Sequence, residues 1–162
     1  MQASDVMQTK LVTVSPDDTV IHAAQLMLDH RISGLPVVKD NGYLVGFVTE
    51  GDLVHRFENG TERNYSLFRQ MFSSPSRHAT EFRKNTGRQV KDVMTTEPIA
   101  GSETTTLADI AELFTLHKIR RLPVTRGMTV VGIVTRTDLL RALVGSGAAR
   151  AGDLAVVGYR DD

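Results

Sequence analysis

The chain contains no cysteine. That excludes disulfides, thiolate metal sites and cysteine nucleophiles, and it fits a reducing cytoplasm. There is no net charge either, with 19 basic and 19 acidic residues, so no global field draws the chain to nucleic acid or an anionic membrane. No apolar run approaches the roughly 18 residues of a bilayer span. The start, Met1-Gln2-Ala3-Ser4-Asp5, lacks the basic stretch and apolar run of a signal peptide, and the location expected is the cytoplasm. Also missing are a phosphate-cradling G-x-G-x-x-G loop and a G-x-S-x-G nucleophile elbow. The histidines His22, His30, His55, His78 and His117 show no metal-ligand spacing. No metal site and no enzymatic activity are therefore expected. What remains, 41% hydrophobic and 23% charged residues, is ordinary for a globular protein.

What the sequence does contain is a statement made twice. Asp5-Val6-Met7 returns as Asp92-Val93-Met94, and Leu35-Pro36-Val37 as Leu122-Pro123-Val124, both 87 positions later. Val45-Gly46-Phe47-Val48-Thr49-x-x-Asp52-Leu53 returns as Val131-Gly132-Ile133-Val134-Thr135-x-x-Asp138-Leu139, 86 positions later. Ordered matches at nearly one spacing indicate a duplicated unit, with too few copies for a solenoid. Units of about 55 residues bury too little surface to be stable alone, so the two should pack face to face.

Each copy reads as β-α-β-β-α, an α+β class. In the first, Leu11-Val12-Thr13-Val14 resembles a short strand, and Ser15-Pro16-Asp17-Asp18 offers a helix start with acid near the dipole. Val20, Ala23, Ala24, Met27 and Leu28 form an apolar helical stripe. Leu35 to Val38 and Tyr43 to Val48 are strands around the turn Lys39-Asp40-Asn41-Gly42, and Asp52-Leu53-Val54 opens a second helix. In the second copy, Leu107, Ile110, Ala111 and Phe114 repeat the stripe, Leu122 to Val134 the hairpin, and Asp138 to Val144 the last helix. His30 and His117 fall just past the stripes, as helix C-terminal residues. Four segments result: repeat 1 over 1–57, a connector over 58–90, repeat 2 over 91–144 and a flexible tail over 145–162.

Asp-Val-Met, then Leu-Pro-Val, then Val-Gly-x-Val-Thr-x-x-Asp, repeated in tandem, resembles a pair of CBS (cystathionine β-synthase) domains, a Bateman module. The resemblance implies pseudo-twofold packing, two clefts between the copies and, commonly, an adenosine-containing ligand there: AMP, ADP, ATP or S-adenosylmethionine. Mg²⁺ is expected only alongside ligand phosphates. Modules of this family often pair as homodimers, and some bind no ligand, serving for dimerisation or partner docking instead.

Residue chemistry gives the clefts content. A carboxylate where a strand runs into a helix can accept both hydrogen bonds of a ribose diol. By resemblance Asp52 and Asp138 hold ribose, with Thr49, Thr135 and Thr137 in reach of sugar or phosphate. Thr-x-x-Asp at a helix start equally reads as N-capping, and both roles can hold at once. Arg120-Arg121 precede Leu122-Pro123 where Ser33-Gly34 precede Leu35-Pro36. Guanidinium forks suit phosphate oxygens. The resemblance pairs Arg120 and Arg121 with Thr49 and Asp52, and Ser33 and Gly34 with Thr135, Thr137 and Asp138, with Arg136 as that cleft's cation. Glu50 would oppose a polyphosphate. Lys10-Leu11-Val12 and Pro98-Ile99 take the adenine by family position, although they also read as core.

Residues 55–91 carry a formal charge of +5 and four of the six phenylalanines. Tyr65, Phe68 and Phe72 have helical spacing, and a second short helix is expected over 78–84. These aromatics are expected to pack on the module or to form a dimer contact, rather than to bind nucleic acid. Gly145-Ser146-Gly147 begins a linker-like tail. Some relatives with a long basic connector carry a further C-terminal domain, so the chain is expected to serve a regulated partner or to be a fragment.

Overall fold

The computed structural model of this chain describes residues 1–58 and 88–145. The helices expected over 65–72 and 78–84, and the tail past Gly145, lie outside the described residues.

The chain is a mixed α+β molecule built on two three-stranded sheets. The first copy runs through α1 (Ala3–Val6), α2 (Val20–His30), β1 (Gly34–Val38), β2 (Leu44–Thr49) and α3 (Glu50–Glu58). The second begins with a 3₁₀ turn (Val90–Asp92), then β3 (Thr95–Thr96), β4 (Gly101–Ser102), α4 (Leu107–Leu116), β5 (Arg121–Arg126), β6 (Thr129–Thr135) and α5 (Arg136–Leu143). Each hairpin is antiparallel, Leu35 opposite Val48 and Leu122 opposite Val134. Gly42 supplies the positive φ of the first turn, and Gly127 that of the second. Pro36 and Pro123 are buried within β1 and β5. Neither strand needs the missing N–H, and Pro36 O still accepts from Val14 N at 3.1 Å.

Threonines cap the longer helices: Thr19 Oγ1 accepts from His22 N at 3.1 Å, and Thr106 Oγ1 from Asp109 N at 3.2 Å. Arg31, left-handed at φ 52°, closes α2, and Lys118 at φ 54° occupies the equivalent place after α4. Val20, Ala23 and Met27 of α2 and Ile110 and Phe114 of α4 are buried against their own hairpins. Leu35, Ile110 and Leu122 are fully buried, at about 1.5–3 kcal/mol each.

The copies are not self-contained. Ala3 of the first Asp-Val-Met segment lies in the core of the second copy with Ile110, Phe114 and Leu122. Val90 and Val93 of the second segment lie in the core of the first with Val14, Val20 and Val48. Backbone pairing follows: β3 joins β2 through Thr95–Phe47 and Thr96–Gly46, while Gln8 and Ile133 exchange bonds of 2.9 and 3.0 Å. Each segment is an arm laid across the other copy's hairpin. The glycine of Val-Gly-x-Val makes room for it. A Cβ on Gly132 would strike the Met7 sulfur, and one on Gly46 the Met94 sulfur. Thus the methionine of one motif explains the glycine of another.

Three local expectations are corrected. Leu11 to Val14 is not a strand: only Val14 bridges, in parallel, to Val37, because the chain turns away at once at Pro16. The helix does not start at Ser15. Asp18 turns back to accept from Ser15 N at 2.7 Å, and α2 begins at Val20 with no acid in its first turn. Leu28 leaves the stripe and is 74% exposed, and Ala111 in α4 is exposed too. The apolar face of each helix is narrower than the spacing suggested.

Candidate functional site

The Thr-x-x-Asp segments sit where β2 enters α3 and where β6 enters α5. In both, threonine and aspartate cap the helix reciprocally. Thr49 N and Oγ1 donate to Asp52 Oδ2 at 2.8 and 2.9 Å, and Asp52 N donates back to Thr49 Oγ1 at 3.2 Å. Thr135 N and Oγ1 donate to Asp138 Oδ2 at 2.8 and 2.6 Å, with Asp138 N returning at 3.3 Å. Capping is therefore real in both copies.

The carboxylates differ beyond that shared box. Among the described residues Asp52 Oδ1 accepts no hydrogen bond, and the side chain is half-buried. Asp138 is 4% exposed. It accepts from Gln8 Nε2 on both oxygens at 3.1 Å, and from Arg141 Nη1 on Oδ1 at 3.3 Å. Gln8 and Arg141 are the residues that the sequence alone missed. Gln8 lies 130 positions from Asp138, and only the exchange of arms brings them together.

A cation from the second copy stands against the first. Arg121 reaches across to donate through Nη2 to Ser33 Oγ, and its Cδ lies 3.4 Å from where a Cβ on Gly34 would stand. The space over Gly34 is filled first by the Phe47 ring, 2.8 Å from that Cβ position, with the arginine beside it. Glu50 N donates to Ser33 O at 3.0 Å, so the guanidinium stands beside the first turn of α3. Burial pulls the Arg121 pKa below its usual value, the Glu50 carboxylate opposes that, and Arg120 adds to it. A partly desolvated guanidinium next to a helix N-terminus is a favourable place for an anion. Arg120 is exposed.

Arg136 stays with its own copy. It is exposed and donates to Ile119 O at 3.3 Å. Thr137 is exposed on α5. Of the adenine candidates, Leu11, Val12 and Pro98 are half-buried, while Lys10 and Ile99 are exposed. The arrangement groups Ser33, Gly34, Glu50 and Arg121 around the start of α3, in which Asp52 lies. Among the described residues no group of three or more His, Cys, Asp or Glu could hold a metal ion, and no described helix is long and apolar enough to cross a membrane.

Comparison with known proteins places this geometry. The CBS domain family model matches residues 3–59 and again 90–145. CBS domain-containing protein YhcV of Bacillus subtilis is 33% identical over 135 residues, 83% of this chain and 80% of YhcV. The chloroplastic CBS domain-containing protein CBSX1 of Arabidopsis thaliana is 34% identical over 138 residues, and the chain spans 58% of its length. Among solved structures, CBSX2 in complex with AMP superposes with a TM-score of 0.69 at 30% identity, covering 90% of this chain and 97% of that one. The chain belongs to the CBS domain family, as two CBS domains in tandem.

Proposed function

We propose that this chain is a regulatory module that senses an adenosine nucleotide in the cleft between its two CBS domains, rather than an enzyme. The observation that carries the reading is Arg121, half-buried and extended from the second copy onto Ser33 and Gly34 of the first. Beside it Asp52 keeps Oδ1 open for a ribose diol, and α3 offers its N-terminus to phosphate. CBSX2, bound to AMP, supports an adenosine ligand. AMP suits this cleft better than ATP, because Glu50 raises the cost of each added phosphate charge. Mg²⁺ would enter only with a polyphosphate. A bound ligand biases the arrangement of the copies by as much as its affinity differs between arrangements. The regulated partner, or a further domain, and a cytoplasmic setting complete the proposal.

The test is calorimetric titration of the purified chain with AMP, ADP, ATP, S-adenosylmethionine and GTP, with and without Mg²⁺. Saturable binding of one adenosine ligand, weakened by Arg121→Ala more for ATP than for adenosine, upholds it. Equal losses for ATP and adenosine would remove Arg121 from the phosphate. Silence across the panel from folded protein would end the sensing reading.

A second reading, a homodimerising or partner-docking module, is favoured by one observation. Helices α4 and α5 leave an open groove of about 560 Å³ lined by Leu107, Phe114, Leu139, Leu140 and Leu143. Leu140 and its repeat counterpart Val54 are both exposed, at 61% and 56%. Light scattering after size-exclusion chromatography decides it, a monomeric mass at micromolar concentration counting against pairing.

A further inference from the structure

A ribose diol needs two acceptor positions, and an ionised carboxylate offers about four. In Asp52 the helix cap uses Oδ2 alone, which among the described residues leaves Oδ1. In Asp138 the cap takes Oδ2, Arg141 and Gln8 take Oδ1, and the Gln8 amide spans both oxygens. Nothing is left for a sugar. The residue responsible is not part of the second copy. Gln8 follows Met7 on the arm of the first, which is fixed across β6 by two backbone bonds to Ile133. Its counterpart on the other arm is Thr95, a short hydroxyl side chain within β3, and the counterpart of Arg141 is His55.

We infer that Gln8 is a built-in latch on the second cleft, which makes the Asp52 cleft the one receptive site per chain. The inference rests on the sensing reading proposed above. Gln8, Asp138 and Arg141 also line an open pocket of about 510 Å³ with Met1 and Asp5 of the arm. What the second site lacks is a free acceptor for ribose. Arg141 is held by Asp138, and Asp5, on the same wall, adds negative charge. The primary amide of Gln8 presents its donors to the carboxylate as two sugar hydroxyls would, so it competes as an intramolecular occupant at high effective concentration.

The experiment is titration with AMP, read as stoichiometry, for the wild-type chain, Gln8→Ala, Asp52→Ala and the double variant Gln8→Ala/Asp52→Ala. Gln8→Thr, which copies the residue on the other arm, serves as a second opener and keeps the arm's backbone bonds. One site in the wild type, none in Asp52→Ala, two in Gln8→Ala or Gln8→Thr, and one in the double variant is the result expected. Two sites in the wild type, or one unchanged site in both Gln8 variants, would overturn the latch and leave the sensing reading standing. No AMP binding to any folded variant would overturn the sensing reading, and the latch with it.

Discussion

Residues 2–8 and residues 89–96 hold equivalent places, each crossing the hairpin of the other copy. Met7 lies over Gly132 and Met94 over Gly46. Gln2 takes the Asp5 carboxylate on its N–H at 2.8 Å, as Gln89 takes Asp92 at 3.0 Å. After the methionine the two part. Thr95 goes on into β3 opposite Phe47, whereas Gln8 turns its amide onto Asp138. Features that a neighbouring backbone must accommodate are the same in both arms. The polar residue beyond them, which sets the chemistry of a cleft, is free to differ. Duplication has kept the scaffold symmetric and left the sites unequal.

The largest effect tests whether exchange makes the copies one unit. Leu35 and Leu122 are fully buried in opposite cores. Either one changed to alanine should cost about 2–5 kcal/mol. Because each core is completed by the other copy's arm, urea should unfold each variant in a single transition. Two resolved transitions, with only one displaced, would show the copies folding separately and would break the comparison.

The glycine notches come next. Gly132→Ala and Gly46→Ala should each cost about 1–3 kcal/mol by overpacking against a methionine. Met7→Ala should recover much of the loss in Gly132→Ala, and Met94→Ala none of it. The reverse holds for Gly46→Ala. Double-mutant cycles by denaturation measure this, and rescue by the methionine of the same copy would rule out the exchange.

Such pairings mark the limit of what the sequence made legible. Strands, hairpin turns and helices were readable because their causes are local: alternation at Leu44–Thr49, helical spacing at Val20, Ala23 and Met27, Gly42 at the turn. Thr-x-x-Asp was readable both as a cap and as a candidate site. Arg121 drew notice because a guanidinium suits phosphate and because the resemblance puts a basic residue there, where the first copy has Gly34. The exchange of arms was not readable. Repeat spacing is the same whether Asp-Val-Met packs on its own hairpin or on the other, since the motifs carry no label for the copy they belong to. For that reason Gln8 was invisible as a partner of Asp138. Leu11 to Val14 had strand-like residues, but its neighbouring chain offered only Val37 for pairing.

The aspartates should invert their roles when removed. Asp138→Ala removes the cap and the acceptor of the exposed Gln8 and Arg141 side chains, and should cost about 1–2 kcal/mol of stability, most of it from the cap. Asp52→Ala loses the cap alone among the described residues, about 1 kcal/mol. For AMP the order reverses: Asp52→Ala should abolish measurable binding and Asp138→Ala should leave it almost unchanged. Chemical denaturation and calorimetry read the two scales separately. Loss of AMP binding on Asp138→Ala with Asp52→Ala silent would transfer the site to the other cleft.

The smallest effect concerns a pair that only the second copy has. Arg126 forks onto Glu103, Nε to Oε2 at 2.8 Å and Nη2 to Oε1 at 2.7 Å, where the first copy has Pro16 in place of Glu103. The hydrogen bonds from Arg126 hold the Glu103 carboxyl below its usual pKa and raise that of Arg126 in turn. A carboxylate depressed in the folded state favours folding above its unfolded pKa, about 4.3, and that contribution disappears as pH falls through the folded value. The pair is solvent-exposed, so its weight is small at any pH. Arg126→Ala should therefore return the Glu103 carboxyl upward in an NMR titration. Any difference in melting temperature from the wild type should be confined to pH above about 4 and should shrink with added salt. A difference that grows as the pH is lowered would contradict the sign.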